Sequence, residues 1–206
     1  MPSDSELPDV GRQTSDGGTA PLARVANARL FWPVLVAIVL VDVLTKRVAV
    51  GFLQGQERVP HEVVSHWLRM TLVYNPGAAF GLHVGENSRW IFMALTVGAL
   101  LILGRLYVST RAGDATRVTA LSLVCGGALG NLLDRIASKD GVVDFIDVGV
   151  RDARWPTFNV ADMAVSIGAF LLAVVLWSED RAAESRVGAA PALVRPDLQR
   201  ESTEVT

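Results

Sequence analysis

The sequence predicts an all-α integral membrane protein with four transmembrane helices, and three observations carry that prediction. Half of the 206 residues are hydrophobic and the mean hydropathy is +0.36, although 19% of residues are charged. The apolar residues gather into four runs, over 30–50, 90–104, 118–133 and 160–177. Polar, aromatic-poor segments flank them, so the predicted organisation is a tail over 1–29, one membrane domain over 30–177 and a second tail over 178–206. The formal net charge of −2 supplies no basic field, and nucleic acid is not an expected partner.

The first tail is rich in Ser, Asp, Gly, Thr and Pro and cannot bury enough apolar surface to offset ordering, so disorder is expected. A signal peptide is the rival reading of this end. It is disfavoured because the apolar run starts only at Leu30, the charges of Asp42, Lys46 and Arg47 follow, and no Ala-x-Ala-like cleavage site lies just beyond.

The first span opens with the twelve uncharged residues from Leu30 to Val41 and continues past Asp42 and Lys46 to about Val50. At the helical rise, Asp42 lies roughly 20 Å and Lys46 roughly 25 Å beyond Arg29, near the far edge of a ~30 Å hydrocarbon layer. Four residues apart, they share a face. They are either a self-neutralising pair with Lys46 snorkelling, or the border of a polar cavity.

The long connection over 51–89 holds a strand-like alternation around Trp67 to Val73, broken by Asn75-Pro76-Gly77. Asn75 is thereby placed at a strand end near the membrane surface, where a plain turn would use the same residues. His61 and His66 are five apart, which does not put both on one helix face, and Pro60 and two β-branched residues accompany them; no metal site is expected. With no Gly-x-Ser-x-Gly near any histidine, serine hydrolysis of the usual kind is not expected either.

The second span is uncharged and reads as scaffold. In the third, Gly126 and Gly130 form a small-xxx-small pair that lets another helix approach, while Gly127, Asn131 and Asp134 or Arg135 follow at helical spacing. Cys125, the only cysteine, reads as a packing residue. Strand-like alternation returns over 142–148, where Asp144 and Asp147 are an odd number apart and face opposite sides, so only one can serve a common site. The fourth span begins at Val160, with Asp162 two residues inside it. A carboxylate at such a mouth is expensive and therefore a candidate functional group.

With four spans, the end of the first, the start of the second, the end of the third and the start of the fourth share one side of the membrane. Asp42, Lys46, Asn75, Asn131, Asp134, Arg135, Asp144, Asn159 and Asp162 all fall there. Lys and Arg counts near the span ends do not decide which side it is. Two carboxylates close together share one proton, one acting as base for a water and the other as acid for a leaving group. Sequence alone leaves the partner of Asp162 open between Asp144 and Asp134. A second reading is a small non-enzymatic membrane carrier or assembly subunit with an intramembrane Asp/Lys relay.

Asp42-x-x-Thr45-Lys46, Asn75-x-Gly77-Ala78-Ala79-Phe80, Gly126-Gly127-x-x-Gly130-Asn131-x-x-Asp134-Arg135, Val142-Val143-Asp144-Phe145 and Phe158-Asn159-x-Ala161-Asp162, in this order, closely resemble the signal peptidase II family. The resemblance covers about 30–177. It implies a four-helix bacterial plasma-membrane aspartyl endopeptidase with a small extracytoplasmic β-cradle and both termini cytoplasmic. Such an enzyme needs no cofactor and acts as a monomer among membrane lipids. It cleaves diacylglyceryl-modified prolipoproteins just before the lipidated cysteine. The resemblance maps the catalytic pair onto Asp144 and Asp162. It maps substrate-pocket polar residues onto Asp42, Lys46, Asn75, Gly127, Asn131, Arg135 and Asn159. Asp134, adjoining Arg135, is expected to form an orienting ion pair with it. Pro76 and Met163 depart from the polar residues more usual at those positions, which affects details of the loop and helix start only.

Overall fold

The computed structural model describes residues 19–77 and 87–188, with side chains over 27–77 and 87–185. Among the described residues, four helices are long and apolar enough to cross a membrane: α1 (Thr19–Leu53), α2 (Ser88–Val108), α3 (Ala115–Ala137) and α4 (Val160–Gly188). Many of their large apolar side chains point outward, among them Leu40, Leu44, Leu101 and Ile102, as a multi-pass membrane protein requires of its lipid-facing surface. The inner faces meet around Phe31 and Leu35 of α1 and Val118, Leu121 and Cys125 of α3. Cys125 is thus a buried packing residue.

Two helices overrun their expected bounds. α1 begins at Thr19, so 19–29 is helical and not a disordered tail, and α4 continues through the polar stretch 178–188. The extension over 19–29 is rich in Ala and Arg and that over 178–188 in Ala, Arg and Glu, which are strong helix formers, and prolonging an existing helix avoids the cost of nucleation. The expected disorder over 1–18 and 189–206 lies outside the described residues.

Between the helices runs a four-stranded antiparallel sheet in the order β1 (His61–Val64), β2 (Leu68–Asn75), β3 (Val142–Val150), β4 (Ala153–Arg154). β2 and β3 are the strands that alternation predicts. β1 and β4 escape the sequence reading because one is four residues and the other two residues long, too short to display a period. The β2–β3 register sets Val73 opposite Asp144 and Asn75 opposite Val142, with an irregularity between Met70 and Val73. Gly141 opens β3 at φ +104°, and any Cβ there would collide with the Asn75 carbonyl, so only glycine lets the two chains pass this closely.

One further pairing positions the site. Phe158, just before α4, bridges Ile146 of β3: the Phe158 carbonyl accepts from Phe145 N–H (3.1 Å) and Ile146 N–H (2.8 Å), and Phe158 N–H donates to the Ile146 carbonyl (3.0 Å). The start of α4 is therefore tied by backbone to the strand that bears Asp144.

Candidate active site

Asn159 is the hub from which the site is built. It is fully buried and caps α4: its Oδ1 accepts from Asp162 N–H (2.9 Å), while its own N–H donates to Asp162 Oδ2 (3.2 Å). This reciprocal pair is a capping box with an acid in the third helical position. Its Nδ2 donates to Asp144 Oδ1 (2.7 Å), to Asn131 Oδ1 (3.1 Å) and to the Val143 carbonyl (3.3 Å). One residue thus joins both candidate catalytic carboxylates, Asp144 through its side chain and Asp162 through its backbone N–H.

Each carboxylate has a second amide partner. Asn75 Nδ2 donates to Asp144 Oδ2 (3.1 Å), and Asn131 Nδ2 donates to Asp162 Oδ1 (2.8 Å). Asn75 ends β2 and also accepts from Gly77 N–H (3.0 Å), so it closes a turn and serves Asp144 at once. Asp144 and Asp162 line one cavity of about 290 Å³, together with Asn75, Arg135, Phe92 and the Trp155–Phe158 segment. Burial pushes the Asp144 carboxyl up to about 7, and the neighbouring charge of Asp162 adds to the rise, against the hydrogen bonds from Asn75 and Asn159.

Asp147 faces away from this site, as the odd spacing requires. It accepts from Arg154 Nε (2.6 Å), Thr71 Oγ1 (2.9 Å) and Arg69 Nε (3.2 Å). Its burial alone would raise the carboxyl, but Arg154, Thr71 and Arg69 together hold it below the usual range.

Asp42, Lys46, Asn131 and Asp134 form a layer behind the cavity and do not line it. Lys46 is 3% exposed and does not snorkel. Its Nζ contacts Asp42 Oδ2 (2.7 Å), Asp134 Oδ2 (2.8 Å) and Asn131 Oδ1 (3.0 Å). Asp134 therefore pairs with Lys46, and the expected pair with Arg135 is corrected. On a helix, adjacent residues point about 100° apart, so Asp134 and Arg135 cannot face each other. Arg135 turns instead into the cavity, with its guanidinium over the Phe92 ring at 5.7 Å and Nη1 donating to the Asn131 carbonyl (3.1 Å).

The glycines set the helix spacing. A Cβ on Gly127 would run into the Ala161 carbonyl and, at 2.8 Å, Val165, so Gly127 lets α4 lie against α3 and supports the site without facing substrate space. Gly126 packs on Ile38 and Leu35 of α1, and Gly130 leaves room for the Asp42 carboxylate. Sequence reading missed Phe92, Trp155 and Ser166 as cavity-lining residues. Nothing in their local pattern separates them from lipid-facing or packing residues. Ala78, Ala79 and Phe80 of the second motif lie outside the described residues. Among the described residues no cluster of three metal-ligating side chains occurs, and His66 pairs with Glu62 in an exposed position.

Residues 34–178 match the family model described as Signal peptidase (SPase) II. A lipoprotein signal peptidase of Paraburkholderia phytofirmans is 43% identical over 159 residues, covering 75% of this chain and 89% of that protein. One of Cupriavidus pinatubonensis is 38% identical over 177 residues, covering 84% and 92%. Among solved structures, a bacterial membrane enzyme superposes with a TM-score of 0.60 at 29% identity, covering 79% of this chain and 90% of that one. A second has a TM-score of 0.58 at 30% identity, covering 77% and 92%. These relationships do not favour a carrier or assembly subunit. A match along most of the chain, joined to this degree of identity, shows that the chain belongs to the signal peptidase II family of aspartic membrane peptidases.

Proposed function

We propose that this chain removes the signal peptide from diacylglyceryl-modified prolipoproteins, cleaving just before the lipidated cysteine, with Asp144 and Asp162 as the catalytic pair. The observation that carries the reading is the convergence of these two carboxylates, from a strand and a helix start, on one cavity where Asn75, Asn131 and Asn159 hold them. Asp144, held up to about 7 by burial and by Asp162, carries the shared proton at neutral pH. Asp162 takes a proton from a water as its oxygen attacks the scissile carbonyl, and Asp144 passes its proton to the carbonyl oxygen. Collapse of the tetrahedral diol returns that proton to Asp144 and delivers the one on Asp162 to the departing cysteine nitrogen. Arg135 and Asn75, which line the cavity, are placed to bind substrate backbone.

The membrane domain over 30–177 lies in a bacterial plasma membrane with its site at the extracytoplasmic face and both termini cytoplasmic. It works as a monomer among lipids. Relatives named lipoprotein signal peptidases support the prolipoprotein substrate. The test incubates purified protein with a diacylglyceryl-modified prolipoprotein and compares wild type with Asp144→Asn and Asp162→Asn. Cleavage by wild type and none by either variant is expected; cleavage that persists in both variants removes the aspartyl mechanism.

A further inference from the structure

Lys46 holds an unusual place: a buried ammonium, in the membrane span, that donates to Asp42 Oδ2 and Asn131 Oδ1 and forms an ion pair with Asp134 Oδ2. Lys46 lies outside the residues that line the catalytic cavity. Its partners extend the pattern. The second oxygen of Asp42 accepts from Ala161 N–H (2.9 Å), one residue before Asp162. Asp134 Oδ2 accepts from Val143 N–H (3.2 Å), one residue before Asp144. The third acceptor, Asn131 Oδ1, receives both Lys46 and Asn159, so the amide has a single orientation and its Nδ2 must face Asp162.

We infer that Lys46 is a positioning residue for the catalytic pair. Through Asp42 and Asp134 it fixes the backbone beside each catalytic aspartate, and through Asn131 it fixes the donor on Asp162. The inference rests on the proposed aspartyl mechanism and assigns Lys46 a role away from the substrate. The physical reason is charge: without the ammonium two carboxylates would be left uncompensated at membrane depth, and each would turn from its backbone amide toward another partner or a proton. The charge also reaches Asp144, where Lys46 acts to lower the carboxyl. The other charged groups acting there are Asp162 from α4 and Arg135 from α3; β2 contributes the neutral Asn75.

The test is steady-state cleavage of a diacylglyceryl-modified prolipoprotein across pH by wild type, Lys46→Met and Asp134→Asn. For Lys46→Met we expect kcat to fall about 100-fold, the scale of a 1 Å misplacement, with KM little changed. We also expect the alkaline limb of kcat to move to higher pH, because loss of the positive charge lets the Asp144 carboxyl rise. Asp134→Asn keeps an acceptor for Val143 N–H and leaves the ammonium less neutralised. It should fold where Lys46→Met does not, lower kcat less and move the limb to lower pH. A raised KM at unchanged kcat would make Lys46 a substrate contact and overturn the inference. An unmoved limb in both variants would overturn it as well. Failure of wild type itself to cleave would remove the proposed function and this role together, whereas normal cleavage by Lys46→Met would remove only the role.

Discussion

Replacing Asn159 separates what the buried hub does for folding from what it does for chemistry. Asn159→Ala removes the helix cap, at about 0.5–2 kcal/mol. It also strips Asp144 Oδ1 of its 2.7 Å donor, and an unsatisfied buried acceptor costs about 1–3 kcal/mol. Asn131 Oδ1 keeps Lys46 and adds little. The variant should therefore unfold about 1.5–5 kcal/mol more easily by denaturant titration in detergent. Its kcat should fall by about 100-fold, because the Asp144 carboxylate loses a donor and the Asp162 N–H loses its cap. Its alkaline limb should shift upward, since the Asn159 hydrogen bond is one of the influences that lower the Asp144 carboxyl.

Asn159→Asp is the discriminating partner. It retains the oxygen that accepts Asp162 N–H, so the cap survives. It sets a third carboxylate against Asp144 in place of a donor, so activity should fall at least as far as in Asn159→Ala. If Asn159→Asp cleaves like wild type, or if Asn159→Ala loses stability without losing kcat, the reading of Asn159 as an anchor of the pair is refuted.

The remaining predictions follow from the same geometry. Activity should fall as pH rises through about 7, where Asp144 gives up its proton, and a rate profile that stays flat from pH 6 to about 9 would contradict the assignment of the acid. The stability contribution of the same group has a fixed sign: its folded value is raised from about 4 to about 7, so the contribution is complete below about pH 4 and is lost as pH rises through 7. Asp144→Asn should flatten that part of an unfolding-versus-pH curve. Asp147, held low, behaves oppositely and contributes stability that disappears as pH falls below the normal carboxylate range. Asp147→Asn should cost about 1–3 kcal/mol by unfolding while leaving cleavage at wild-type rate, since it weakens links to Arg69 and Arg154 on the far side of the sheet. Gly127→Ala should cost about 1–3 kcal/mol and lower kcat, because the added methyl displaces Ala161 and with it Asp162.

The four spans were legible because membrane helices announce themselves by length and hydropathy, and their site-bearing ends by the cost of polar residues at that depth. The opposed directions of Asp144 and Asp147 were legible from strand parity alone. What the sequence could not display was which charges pair across chain separation. Lys46 meets Asp134 and Asn131 only because Gly126 and Gly130 bring α1 onto α3, and that register depends on packing rather than on local pattern. Local adjacency instead favoured Asp134 with Arg135. The helical extensions over 19–29 and 178–188 were hidden for a different reason: composition that cannot form a core can still prolong a helix that already exists.

Two carboxylates brought together repel each other, so something other than their mutual interaction must hold them. The sequence separation between Asp144 and Asp162 includes β4 and the Trp155–Phe158 segment, enough chain to let them part. The Phe158–Ile146 backbone bridge removes that freedom two residues beyond Asp144 and one before Asn159. On the opposite side, the Asp134 and Asp42 amide bonds grip Val143 and Ala161. Asp144 is therefore held by backbone on both flanks and Asp162 on its N-terminal side, while side-chain amides that can yield to substrate reach both carboxylates. The rise of Asp144 to about 7 comes first from burial, and the charge of Asp162, held close, adds to it. A carboxyl at about 7 leaves a large share of the pair singly protonated near neutral pH, which is the state an acid–base hydrolysis requires.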